Sequence, residues 1–377
     1  MVKVKRVLIL ASYADSLLNF RGALIQSAIL AGAEVHVAAP GLTCCSKITK
    51  ELECKGVVVH DVIMRRAGLN PIFDIVTFFS IFIMLRAVKP NVMLSYTVKP
   101  VIYGGIAAWF ARVQCRFSLI TGLGYAFTGN ASGKRKFLKR VVRLLYRFSL
   151  ARSHGVFFQN PDDEALFRGL DILPGIVPSF VVNGSGVDTS EYRPAPFPSR
   201  TSFLLIARLL GDKGVREYVQ AAESVKLKYP KVSFGLVGWI DENPDAIGKA
   251  ELDSWVKAGT IDFLGKLADV KPAITNSSVY VLPSYREGTP RTVLEAMAMG
   301  RPVITTDAPG CRETLVDGYN GFLVPVKDVN GLVAAILRFI ESPEIISVMG
   351  GRSRTIAENK YDVNKVNSFM LNKMGIQ

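Results

Sequence analysis

Histidine and cysteine are scarce in this sequence. Three histidines (His36, His60, His154) and five cysteines (Cys44, Cys45, Cys54, Cys115, Cys311) occur, and no pair has the spacing of a zinc or redox motif. Such cysteine usage suits a reducing compartment with inert thiols. Carboxylates are missing from one long stretch: no Asp or Glu lies between Asp74 and Asp162. A run of the roughly 20 apolar residues that a membrane span needs is also missing. The best candidate, Ile72–Leu85, is 14 residues long and contains Asp74. Met1–Leu10 has a strand's pattern and lacks the apolar core and cleavage site of a signal peptide. On these grounds the sequence reads as that of a soluble protein.

What is present suits two domains. The 377 residues are 49% hydrophobic and 21% charged, ample for two buried cores. The formal charge of +14 is uneven. Residues 1–190 hold 23 Lys and Arg against 11 Asp and Glu, a net of +12; residues 191–377 hold 23 against 21, a net of +2. The first half therefore carries a positive field suited to a polyanion or an anionic membrane.

Along the first half, strand-like runs (Arg6–Ala11, Glu34–Ala39, Val57–Val62, Val92–Tyr96, Arg116–Thr121, Gly155–Asn160) alternate with helical stretches (Gly22–Ala31, Phe73–Val88, Val101–Val113). Such alternation predicts βαβ units and a parallel sheet. Asn183–Asp188 and the prolines at 194, 196 and 198 read as a linker, because that many prolines fit neither helix nor central strand. The alternation restarts at Phe203–Ala207, and the chain from about Leu332 to Lys373 reads as helical. The expected division is a first α/β domain over 1–190, a second over 198–355, and a final helix over 356–377 that packs back on the first.

Two segments carry chemistry. In Ser284–Thr305 a buried strand, Val279–Pro283, feeds a loop and then a helix starting near Pro290, with Thr289 placed to cap it. The mouth of such a helix is a ready diphosphate site. Glu295 falls about 7–8 Å into the helix at 1.5 Å per residue, suited to a ribose diol. Glu287 precedes Gly288, where the backbone allows close approach to a sugar. The second segment is Ala207–Gly214, where Arg208 and Lys213 follow a strand and precede a helix; this arrangement neutralises phosphates.

The Arg208/Lys213 pair, Glu287 and Glu295 at their spacing, and Gly300-Arg-Pro-Val together resemble the retaining glycosyltransferases of family 4. The linker's Asn-Gly element and Phe263-Leu-Gly265-Lys266 are similar to that family's motifs, so the likeness covers nearly the whole chain. The resemblance implies a GT-B fold: α/β, two facing Rossmann-like domains with parallel sheets. It implies a metal-independent hexosyltransferase that retains anomeric configuration and takes a nucleoside-diphosphate sugar as its donor substrate, with no other cofactor. Residue by residue, Arg208 and Lys213 would hold the diphosphate and Glu287 the sugar; these three are the expected catalytic residues. Gly288, Thr289, Pro290, Arg291, Thr292, Glu295 and Lys266 would bind the donor. Many members carry a first-domain histidine near the sugar; here the loop Ile120-Thr121-Gly122-Leu-Gly124-Tyr125 has none, and Thr121 is the substitute.

For the acceptor, residues 134–152 carry eight cations. From Arg135 to Arg147 they fall on one side of a helix, opposite Phe137, Leu138, Val141, Val142, Leu144, Leu145 and Phe148. A basic amphipathic helix of this kind lies on anionic lipid. Phe20-Arg21-Gly22 at a helix start and Lys99 after a strand would suit an anionic acceptor, with Arg21, Lys99 and Thr121 as its contacts. These features resemble bacterial enzymes that extend polyprenyl-diphosphate-linked saccharides, O-antigen among them. Gly238–Pro244 and Ser284–Glu295 look most like those transferring N-acetylgalactosamine in an α1,3 linkage from a UDP-sugar. The implied place is cytoplasmic, peripheral at the inner face of the membrane. A soluble transferase using GDP-mannose or UDP-glucose on a small or polysaccharide acceptor is the alternative. A nucleic-acid-binding protein fits poorly, since Phe78, Phe79 and Phe82 are not interleaved with cations. An epimerase or dehydrogenase would need a glycine fingerprint that Ala11–Asp15 lacks.

Overall fold

The computed structural model describes residues 4–42, 46–65, 70–122, 134–241, 243 and 245–376, with the helix path alone given for 134–138. It divides into two compact units, Met1–Ser185 with Asn364–Gln377, and Gly186–Val363.

The first unit is a parallel sheet of seven strands: β1 (Arg6–Leu10), β2 (Glu34–Ala39), β3 (Val58–Asp61), β4 (Val92–Tyr96), β5 (Cys115–Ile120), β6 (Gly155–Phe158) and β7 (Ser179–Val181), in the order β3-β2-β1-β4-β5-β6-β7. Its helices are α1 (Asp15–Leu30), α2 (Lys47–Cys54), α3 (Pro71–Val88), α4 (Gly105–Phe110), α5 (Lys134–Leu150) and α6 (Pro161–Gly169). The central strands β1, β4 and β6 read as nearly unbroken apolar runs because both faces of the sheet are covered there. Val7 and Ile9 of β1 enter the core on one face, Leu8 and Leu10 that on the other.

The second unit has six parallel strands: β8 (Ser202–Ile206), β9 (Ser233–Val237), β10 (Asp262–Phe263), β11 (Val279–Leu282), β12 (Val303–Thr306) and β13 (Gly321–Val324). Their order is β10-β9-β8-β11-β12-β13. Helices α7 (Val215–Lys228), α8 (Lys249–Lys257), α9 (Lys271–Thr275), α10 (Arg291–Ala298), α11 (Val329–Glu341) and α12 (Glu344–Lys360) cover it. Last comes α13 (Val363–Lys373), which crosses back and places Met370, Leu371 and Met374 in the first unit's core. In each sheet the strand order reverses beside one central pair, β1/β4 and β8/β11. At such a reversal the loops at the carboxyl ends of an open parallel sheet diverge, which is where crevices for ligands form.

Several expectations are corrected. Helix α1 begins at Asp15, so Arg21 lies inside it and not at its start; Asp15 in the first turn favours that earlier beginning. The apolar segment at Ile72–Leu85 belongs to an 18-residue helix, begun by Pro71 and capped by Asn70 on the amides of Ile72 and Phe73. Asp74 does not interrupt it, because its carboxylate is buried against Lys99 Nζ at 2.7 Å and Tyr103 Oη at 2.9 Å. Val101–Val113 is a π turn over Pro100–Gly104 followed by α4. On α5, Leu144 and Phe148 stay exposed beside Arg140 and Arg147, while Val142, Tyr146 and Leu150 are buried.

The proline-rich stretch from 194 is part of the second unit. Val187 exchanges backbone hydrogen bonds with Tyr361 and Val363. The fully buried Arg301 guanidinium donates to the carbonyls of Ile274, Thr275, Ala195 and Pro196. Burial lowers its pKa to about 10, and the four carbonyls supply the acceptors that a buried cation needs.

His36 and His60 lie on the neighbouring strands β2 and β3, with Nδ1 and Nε2 2.8 Å apart and their rings stacked. Burial and the neighbouring His36 lower the His60 pKa below 6.5. Below pH 6.5 the unfolded chain takes a proton that the folded one resists. Stability from this source is therefore complete above 6.5 and is lost as the pH falls below it. Thermal melting of the whole chain should decline across that range, and His60→Gln should flatten the decline. Parallel melting curves for the two proteins would exclude His60 as the cause.

Candidate functional site

The second unit's switch point is built by the loops after β8 and β11. After β8 the chain passes Arg208 and makes a 3-10 turn at Gly211–Lys213. Gly214, at φ +71°, then opens α7; a Cβ there would sit 2.1 Å from the Pro283 carbonyl oxygen. Only glycine lets the two loops lie this close. Their apposition sets Lys213 Nζ 2.6 Å from Glu287 Oε1, and Ser284 Oγ donates to the same oxygen at 2.8 Å. Both charged side chains are largely buried. Burial by itself would lower the Lys213 pKa, but the charge and hydrogen bond of Glu287, with Asp212, raise it. The site thus holds a firmly protonated ammonium. Arg208 Nη1 meets Asp241 Oδ2 at 3.0 Å and is partly open to solvent.

The loop 284–290 is fixed from both sides. Tyr285 N donates to Asp212 O at 2.8 Å and Glu287 N to Pro309 O at 2.9 Å. Gly310, at φ +80°, gives room for the second contact, since a Cβ would lie 2.2 Å from Glu287 O. Helix α10 begins at Arg291 with Pro290 at the N-cap position, and Thr289 stands one residue before it. Proline offers no side-chain acceptor, which leaves capping of the first turn to other groups. The Thr292 hydroxyl turns inward, accepting from Tyr280 Oη at 2.6 Å.

Glu295 is 4% exposed. Burial raises its pKa, against the pull of Arg291 and Tyr192. Arg291 Nε lies 2.8 Å from Oε1, and Tyr192 Oη donates to the same atom at 3.1 Å. Tyr192 was not foreseen, because it lies 103 residues upstream with no spacing to mark it. Lys266 lies over the Trp239 ring, 5.0 Å from its centre. A bond from Gly238 N to Gly265 O at 2.9 Å joins their loops. Trp239, also unforeseen, stands exposed just after β9.

In the first unit, Arg21 is 3% exposed, with its guanidinium 5.2 Å from the Tyr96 ring centre. Its Nε is buried and has no hydrogen-bond partner. Burial lowers its pKa to about 10, so it remains a cation. Ser16 Oγ and Tyr96 Oη are 2.7 Å apart, and Thr97 Oγ1 donates to Ser12 Oγ at 2.8 Å, joining the ends of β1 and β4. Lys99 is buried in its ion pair with Asp74. Thr121 is half-buried just after β5, and 123–133 of the adjoining loop lie outside the described residues. The structure therefore joins Lys213 with Glu287 directly, sets Arg208 after β8, Lys266 after β10 and Glu295 within α10, and commits Lys99 to Asp74.

Residues 200–342 match the family described as Glycosyl transferases group 1. The chain is 28% identical to the Campylobacter jejuni N,N'-diacetylbacillosaminyl-diphospho-undecaprenol alpha-1,3-N-acetylgalactosaminyltransferase, over 90% of each chain. It is 25% identical to the Escherichia coli UDP-Gal:alpha-D-GlcNAc-diphosphoundecaprenol alpha-1,3-galactosyltransferase, over 79% of this chain and 78% of that one. Among solved structures it resembles sucrose-phosphate synthase from Thermosynechococcus elongatus, with a TM-score of 0.79, 17% identity and 98% of each chain covered. The two sheets, their matching switch points and these likenesses agree: the chain is a glycosyltransferase of the GT-B fold whose residues 200–342 form a glycosyl transferases group 1 domain.

Proposed function

We propose that this glycosyltransferase is a retaining, metal-independent hexosyltransferase. It moves an N-acetylhexosamine such as N-acetylgalactosamine from a UDP-sugar to a polyprenyl-diphosphate-linked saccharide, in bacterial surface-glycan or glycoprotein-glycan assembly. Its place is the inner face of the cytoplasmic membrane. One observation carries the reading: Lys213 and Glu287 meet 2.6 Å apart at the β8/β11 crevice, beside the mouth of α10. The two relatives named above, whose acceptors are diphospho-undecaprenol sugars, support the class of acceptor.

The chemistry follows from where charge develops. As the bond from the anomeric carbon to the leaving phosphate oxygen breaks, negative charge grows on the diphosphate. Arg208, Lys213 and the amides of Gly288–Thr292 receive it. Arg208 exchanges Asp241 for phosphate, while Lys213 stays charged because Glu287 keeps it so. Glu287 also takes a sugar hydroxyl. Glu295 takes the ribose diol, its carboxylate steadied at Oε1 by Arg291 and Tyr192. Lys266 and Trp239 border the base. The acceptor hydroxyl attacks on the face that the phosphate leaves, its new bond to carbon forms as the old one breaks, and its proton passes to the departing phosphate oxygen.

For the acceptor, Arg21 is the anion contact. A buried guanidinium with an unpartnered Nε, at the β1/β4 crevice, offers a charge that a diphosphate would satisfy. Thr121 lies on the same sheet edge, and Lys99 acts through Asp74 as support. The cations of α5 add attraction to an anionic membrane surface.

A donor screen against a short-chain polyprenyl-diphosphate saccharide, with the product linkage read by NMR, tests the reading. The expected product is α-linked N-acetylhexosamine; a β-linked product, or no transfer from any nucleotide sugar, overturns it. Lys213→Ala should lower kcat about 100- to 1,000-fold with a smaller change in UDP affinity. Glu295→Gln should instead weaken UDP binding about tenfold, the loss expected for one hydrogen bond to a charged group. Steady-state kinetics and calorimetry separate the two; unchanged values in both variants would discard the site assignment.

A further inference from the structure

The outward face of α3 is apolar where a helix on a water-facing surface would be polar. Ile72, Ile75, Val76, Phe79 and Ile83 follow helical spacing along one stripe and are all exposed, Ile72 by 74% and Ile83 by 66%. The stripe is about 16 Å long at 1.5 Å per residue. The opposite face packs Ile81, Met84, Leu85 and Val88 into the core with Leu8, Leu10 and Met93. The ion pair from Asp74 to Lys99 pins the same helix to the π turn. The helix is therefore an integral layer of the fold and cannot leave it to cross a bilayer.

The patch continues beyond α3 through ring contacts. Phe79 touches Phe78, Phe78 touches Phe110 at 6.0 Å, Phe110 touches Trp109, and Trp109 meets Phe148 of α5 at 5.9 Å. Phe110, Trp109, Leu144 and Phe148 are all exposed. Cations rim the patch. Arg152 lies over both Trp109 and Phe148. Arg86 follows Ile83 by three residues on the same stripe, and with Lys89 and Arg112 it lines one hollow. No exposed carboxylate interrupts the surface of α3, α4 and α5, because the sequence from 75 to 161 holds none and Asp74 is buried.

We infer that this face is a monotopic membrane-insertion surface: the α3 stripe with Trp109, Phe110, Leu144 and Phe148 enters the acyl boundary of a bilayer, while Arg86, Lys89, Arg112 and Arg152 meet anionic headgroups. Charge complementarity selects the occupant. An apolar stripe edged with cations and an aromatic belt, without a carboxylate, matches a leaflet of anionic lipid. The inference deepens the membrane reading above by placing attachment on α3 and α4 rather than on the α5 cations alone. It does not depend on the donor or acceptor.

Flotation of the full chain with vesicles of phosphatidylcholine and phosphatidylglycerol tests it. Wild type should float and retain part of its binding in high salt. Phe79→Glu/Ile83→Glu should weaken binding at least about tenfold, because both side chains would carry a charge into hydrocarbon. These positions are exposed, so melting curves and UDP binding should match wild type. As a second readout, Ile83→Cys carrying an environment-sensitive fluorophore should shift to the blue on adding vesicles. Arg140→Glu/Arg147→Glu, on α5, should reduce the preference for anionic lipid yet leave the fluorophore shift. The inference is overturned if the α3 variant floats like wild type, or if wild type does not float. It is also overturned if ultracentrifugation finds a dimer that the α3 variant disperses with flotation unchanged.

Discussion

The contact between Lys213 and Glu287 organises the second unit's working edge. It joins the loop after β8 to the loop after β11, the two strands beside which the sheet order reverses. Two glycines make it possible, Gly214 by letting the first loop lie on Pro283 and Gly310 by letting a third loop support Glu287. A charge pair held this way in a largely buried place is ordered before any ligand arrives. Little reorganisation then remains when an anion enters, which is where electrostatic catalysis gains most. In the same unit Arg208, Lys266 and Glu295 are each steadied by a partner: Asp241, Trp239, and Arg291 with Tyr192.

The first unit's crevice is charged differently. Its Lys99 is neutralised in place by Asp74, whereas Arg21 keeps its charge in a buried setting beside the Tyr96 ring. A desolvated cation lacking a carboxylate is costly to the fold. The acceptor contact proposed above would offset that cost by supplying the missing anion.

Much of the fold was legible because buried parallel strands read as short apolar runs bounded by Gly and Pro. Val303–Thr306 and Gly321–Val324 carry that pattern in its clearest form. The strand β7 was not legible because it is only 3 residues long, nor were the helices α2 and α6, which are short and rich in polar residues. The motif residues could be placed from their spacing on two strand–loop–helix units, β8 to α7 and β11 to α10. Tyr192 and Asp74 could not, since their partners lie 103 and 25 residues away and only the folded chain unites them. The outer face of α3 was hidden for another reason. In a run that is apolar all round, periodicity cannot say which side meets the core.

Helix α13 has a consequence for how the chain is made. The first unit's core takes Met370, Leu371 and Met374 from the last stretch of sequence, with all of Gly186–Val363 lying in between. A ribosome delivers the second unit whole before the first can be closed. The nascent first unit must therefore wait with part of its core uncovered, and its apolar surface is then open to chaperones or to misassembly.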